Sequence, residues 1–154
     1  MAAKQTKLTM TGINRKHDKE FGSLKRVDLS TGDYIEIYQR FRKTSIQKLV
    51  LDYLDILNAM KEGGRKLGSG AMVFVYYMLL LKHFTTLGSI IPEDLGQMIG
   101  VGEKLLDLGV MEQILNEFPQ QELDKLNAAI QEVNRNMQAQ LETWPNEKGK
   151  ENGQ

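Results

Sequence analysis

The chain has no cysteine, two histidines, one tryptophan and three prolines in 154 residues. Without cysteine there is no disulfide, no thiolate nucleophile and no thiolate metal ligand. His17 and His83 lie far apart in sequence, so a zinc site is not expected. No Ser, His and Asp stand closely enough to suggest a triad. The sequence therefore points away from an enzyme, and no cofactor, metal or nucleotide is expected. The longest apolar run, Ala71 to Leu81, covers 11 residues, short of the roughly 20 that a membrane span needs. The first apolar run also comes too late for a signal peptide, so the expected location is the cytoplasm.

Net charge is absent as well, but the charges are segregated. Residues 1–91 hold 15 Lys and Arg against 8 Asp and Glu, and residues 92–154 hold 5 against 12. A balance of +7 in one part and −7 in the other is either a pair of solvated faces or complementarity between copies of the chain in a weak homo-oligomer. The basic part has no aromatic platform and no recognition motif, so nucleic acid is not an expected partner.

What is present is helical patterning around one stretch. Ala71 to Leu81 is apolar or aromatic at every position, and a helix apolar on all sides is a buried one. With Ser69 as a cap and Lys82 and His83 near the negative end of the dipole, a central core helix over about 71–87 is expected. The chain length suits one domain. The expected organisation is a flexible basic arm over 1–22, a single mainly α domain over 23–141 and a disordered polar tail over 142–154.

Within that domain, Lys25 to Leu29 alternates, Ser30-Thr31-Gly32-Asp33 is turn chemistry, and Tyr34 to Tyr38 is β-branched and aromatic. Together they predict a small N-terminal β-hairpin over about 25–38. A lone hairpin is marginal in water and must pack on a helix or pair with another chain. Ile46, Leu49, Val50, Tyr53, Leu54, Leu57 and Met60 follow helical spacing; Thr44 or Ser45 opens this helix and Gly63-Gly64 closes it. Asp52 and Asp55 then fall on its solvated face. The run Gly63 to Gly70 lacks the Gly-Lys-Ser/Thr of a phosphate loop, and Val73 stands where a dinucleotide fingerprint needs glycine, so a structural turn is expected. His83 reads as a cap or packed side chain.

Pro92 suits a first helical position, with Glu93 and Asp94 on the helix dipole. Short helices near Glu103–Leu108 and Val110–Phe118 are expected among several glycines. Pro119 starts the last helix, in which Leu123, Leu126, Ile130, Val133 and Met137 form an a/d stripe. That stripe either covers the protein's own core or forms an intermolecular seam. The candidate partner-binding residues are therefore Tyr34, Ile35, Ile37 and Tyr38 on the hairpin edge, and the five residues of the stripe.

The segment Val27-Asp28-Leu29-Ser30-Thr31-Gly32-Asp33-Tyr34-Ile35-Glu36-Ile37-Tyr38-Gln39-Arg40-Phe41, followed by an amphipathic helix and later by an acidic helical region and a polar tail, resembles the tail assembly chaperones of long-tailed bacteriophages and prophages of Gram-positive hosts. The resemblance covers about residues 24–141. Many such genes shift the ribosome near their 3′ end, and Lys148-Gly149-Lys150 is compatible with a slippery run there. The resemblance implies a protein of the bacterial host cytoplasm that coats the tape-measure protein and helps recruit tail-tube subunits. No single binding residue carries over from it. The alternative reading is a small DNA-associated regulator or phage replication accessory protein, supported by the basic arm and helical core but lacking an Arg/Lys-lined recognition helix.

Overall fold

In a computed structural model, the backbone is described for residues 5–62 and 69–152, and the side chains of those residues apart from 61, 69–71 and 137–152. Among the described residues the fold is mainly helical, with one two-stranded antiparallel hairpin. The elements run α1 (Met10–Phe21), β1 (Leu24–Asp28), β2 (Tyr34–Tyr38), α2 (Lys43–Glu62), α3 (Ser69–Phe84), α4 (Leu95–Asp107), α5 (Val110–Leu115) and α6 (Gln120–Asn152). A 3-10 turn, Thr86–Ser89, joins α3 to α4.

The hairpin is where the alternation placed it. Val27 faces Ile35 across the ladder, and both are buried with Ile37. Gly32 takes a φ of 91° in the turn, a conformation that costs glycine least. The hairpin packs on its own chain. Ile37 makes an isolated antiparallel bridge with Thr85, and the Glu36 N–H donates to Thr86 Oγ1 at 3.0 Å. The middle of the β2 edge is thus occupied within the same chain.

α3 is the central helix, but it ends at Phe84 rather than near residue 87. Thr85 donates its hydroxyl to the Leu81 carbonyl at 2.6 Å and accepts the Leu87 N–H. It thereby diverts the backbone out of the helix and toward β2. Val75, Met78, Leu79, Leu80, Leu81 and Phe84 are buried. Phe84 stacks on Phe41 with ring centroids 3.9 Å apart, and Phe118 meets Phe41 edge-on at 5.7 Å. This aromatic trio joins the hairpin exit, the central helix and the approach to α6.

Several expectations are corrected. The arm over 1–22 contains α1, whose start is capped by Thr9 Oγ1 accepting the Gly12 N–H at 3.1 Å. α2 begins at Lys43, so neither Thr44 nor Ser45 precedes it as a cap. Asp52 is not merely solvated: its Oδ2 lies 2.7 Å from His83 Nε2 and 3.8 Å from Lys82 Nζ, joining α2 to α3. Pro92 lies three positions before Leu95, the first residue of α4, and the Asp94 carboxylate is the cap, accepting the Gln97 N–H at 3.0 Å. α4 runs unbroken through Gly96, Gly100 and Gly102. A Cβ at Gly102 would sit 2.5 Å from Phe74 Cζ, so this glycine lets α4 lie close on α3. The α6 backbone is helical to Asn152, through residues expected to form a disordered tail. The turn at Gly63 to Gly68 and the side chains of Met137 and Trp144 lie outside the described residues.

Charges from the basic and acidic parts meet inside one chain. Lys25 Nζ lies 2.7 Å from Glu117, and Lys82 Nζ lies 3.9 Å from Glu93. Pairs with a solvent-exposed partner, as Glu93 is here, contribute little stability. Glu122 is different, because it is buried (3 % exposed) and accepts the Phe41 N–H at 2.9 Å.

Candidate interaction groove

The all-apolar sequence of α3 meets an incomplete ring of neighbours. α2 and the hairpin region cover one side and α4 packs against another, while Val73 remains 48 % exposed and Phe74, Tyr76 and Tyr77 are half-buried. These side chains floor an open groove of about 900 Å³. Leu106 of α4, Met111 and Leu115 of α5, and Leu123 of α6 form its walls. A hollow of this size falls within the roughly 300–1,000 Å³ of sites that take ligands.

The walls are held in place by identifiable contacts. Gly102 brings α4 down beside Phe74 and Met78. Gly109, with a φ of 72°, turns the chain from α4 into α5. Tyr76 donates its hydroxyl to Asn127 Oδ1 at 2.8 Å, fastening α3 to α6. The groove continues past Val73, Tyr76 and Asn127 into a second hollow of about 440 Å³, lined by Tyr53, Met72 and Ile130. A third, of about 470 Å³, lies along α2 and α6 between Val50, Leu51 and Val133.

Burial, followed by the neighbouring Tyr77, pushes the Tyr76 phenol up to about 12. Burial also raises Tyr53. The unfolded chain loses the Tyr76 proton near the ordinary value of 10, whereas the folded chain holds it to about 12. The stabilisation is complete below pH 10 and is lost as pH rises through that interval. Ultraviolet titration of the tyrosines is expected to show a last-ionising phenol in the wild type that is absent in Tyr76→Phe. A wild type with no phenol ionising later than those of Tyr76→Phe contradicts this placement.

The residues singled out in the sequence separate into two sets. On the hairpin, Ile35 and Ile37 point into the core. Tyr34 is exposed under the Arg26 guanidinium at 3.9 Å, and Tyr38 lies 5.5 Å from that of Arg42. On α6, Leu126 is fully buried, while Leu123, Ile130 and Val133 are partly buried against the core. As surfaces of a single chain, Ile35, Ile37 and Leu126 are corrected to core positions, because the first two pack beneath the hairpin and Leu126 beneath α6. Leu123 and Ile130 remain at the groove and its extension. The stripe therefore mainly serves the protein's own core.

Sequence reading missed Val73, Phe74, Tyr76, Tyr77 and Leu106 as groove residues. One signal was available: two adjacent tyrosines in an otherwise apolar run, each with a hydroxyl that seeks a polar partner when buried. Among the described residues, no three His, Cys, Asp or Glu side chains are grouped to hold a metal ion. No helix among them is long and apolar enough to cross a membrane.

The fold and groove define a small, mainly helical protein with an aromatic-floored apolar surface channel. The chain belongs to the YomO family, whose model matches residues 10–152, and this is a phage- and prophage-associated family. No curated protein and no solved structure matches the chain.

Proposed function

We propose that this protein is a tail assembly chaperone that binds the tape-measure protein and helps recruit tail-tube subunits around it. The observation that carries the reading is the groove along the exposed face of α3, in a chain of a phage-associated family. A tape-measure protein is a long helical client with apolar stripes. An amphipathic helix laid in such a groove buries those stripes through side chains three and four residues apart. Many modest contacts along one client give avidity while each contact stays displaceable. That combination suits a chaperone removed when tail-tube subunits polymerise. The activity lies in surfaces and involves no chemical step.

The test is co-expression with the tape-measure protein of the same phage or prophage. The soluble fraction of the client is expected to rise well above that obtained with an unrelated small helical protein. A longer frameshifted product, if the gene makes one, belongs in the same test. No rise with either form overturns the proposal.

A further inference from the structure

α1 stands apart from the rest of the fold. It buries no residue, and among the described residues its one ion pair to the body is Glu20 with Arg40 at 3.0 Å. Yet it is amphipathic. Met10 and Ile13 are exposed, and His17 and Phe21 continue their line, with those two rings 5.2 Å apart. A 12-residue helix that buries no residue fully, with Phe21 only partly covered, is marginal in water. The apolar line therefore calls for a partner.

We infer that α1 of one copy docks in the α3–α6 groove of a second copy. Three observations select this occupant. The first is apolar complementarity: the groove exposes Val73 and Leu106, while the helix exposes Met10 and Ile13. The second is charge. Residues 5–23 carry Lys7, Arg15, Lys16 and Lys19 against two acids, whereas residues 95–136 carry seven acids against three bases. Glu112 lines the groove itself, and Asp107 and Asp124 follow the lining residues Leu106 and Leu123.

The third observation is the tether. The Gly22 N–H donates to the Asp18 carbonyl at 2.8 Å, and a Cβ at Gly22 would lie 2.5 Å from that oxygen. Ser23 is bonded to Gln39 through both its carbonyl and its hydroxyl. α1 is thus joined to the start of the hairpin through Gly22 and Ser23 alone, a link too short to carry it far from the hairpin. Docking in another copy requires no change in this link. Such an arm-in-groove contact is heterologous: exchanged reciprocally it closes a dimer, and repeated in one direction it builds rings or filaments.

This inference does not rest on the chaperone reading, and its test contains no client. Sedimentation velocity of the full chain is measured over rising concentration at low and physiological salt. The wild type is expected to self-associate, less so as salt screens the charges over roughly 8–10 Å. Ile13→Glu disables the arm and Leu106→Glu the groove. Both residues are exposed in the single chain, so melting midpoints are expected to stay unchanged. If either variant fails to fold, Met10→Glu or Val73→Glu replaces it. Each variant alone is expected to associate at least tenfold more weakly. Mixed, they restore a 1:1 complex, because one supplies an intact groove and the other an intact arm. A wild type that stays monomeric throughout, variants that associate as the wild type does, or a mixture without heterodimer each overturn the inference.

Discussion

Phe84→Ala is expected to cost about 3–5 kcal/mol of folding stability, the range for truncating a well-packed buried phenylalanine. Phe84 is 1 % exposed and lies flat against Phe41 at 3.9 Å. Phe41 in turn meets Phe118 edge-on at 5.7 Å. Removing the ring leaves a cavity where three chain segments converge, and it also forfeits the aromatic contact. A domain of this size has a total stability of roughly 5–15 kcal/mol, so the variant sits near the edge of folding. Urea denaturation with an unchanged slope reads the effect directly. A loss below about 1 kcal/mol contradicts the packing described for this trio.

The second large effect is expected at Glu122→Leu. The Glu122 carboxylate accepts the Phe41 N–H at 2.9 Å and is 3 % exposed, while Phe41 is 2 % exposed. Leucine is of similar size and leaves little void, but it accepts no hydrogen bond. The Phe41 N–H then stays buried and unpaired, and losing a hydrogen bond to a charged group costs about 1.5–3 kcal/mol. Lys125 also reaches Glu122, at 3.1 Å, but half of its side chain is exposed, so that pair adds little. Glu122→Gln keeps an acceptor oxygen and is expected to lose much less than Glu122→Leu. The same denaturation curves decide it. A leucine variant as stable as the wild type removes Glu122 from its role as the link between α6 and the hairpin exit.

The parts of this fold legible in the sequence are those where local pattern and tertiary demand agree. The hairpin is one: Gly32 sits where the turn needs a positive φ, and Val27, Ile35 and Ile37 alternate onto one face. The core of α3 is another, since an all-apolar helix has nowhere else to go. Legibility fails where a distant group overrides the local signal. Glu122 reads as a surface acid in a first helical turn, and only the Phe41 N–H, 81 positions away, explains its burial. Thr85 ends α3 by capturing the Leu81 carbonyl and turning the chain toward Ile37, which no helical propensity encodes. The glycines of α4 read as breaks, yet Gly102 serves a close helix crossing against Phe74.

The groove was less legible than the fold. Whether an apolar α3 face is covered depends on where α4, α5 and α6 arrive, and those positions are set by long-range packing. The α6 stripe shows the converse. Its spacing was read from the sequence, but spacing alone does not say that Leu126 faces inward while Leu123 and Ile130 reach the groove. For α1 the cap at Thr9 and the line of Met10, Ile13, His17 and Phe21 were present in the sequence, but the surrounding lysines and arginines masked them.

The central proposal is that the groove along α3 holds an amphipathic helix of the tape-measure protein. The direct measurement is calorimetric titration of tape-measure helical segments into the wild type and into a Val73→Asp/Leu106→Asp double variant, at several temperatures. Val73 and Leu106 are 48 % and 56 % exposed, so the double variant is expected to fold as the wild type does, which its melting midpoint checks. Binding to the wild type is expected with a negative heat-capacity change, the mark of apolar burial, and with affinity at least tenfold weaker in the double variant. Equal affinity for the folded double variant, or no binding to the wild type by any segment, contradicts it.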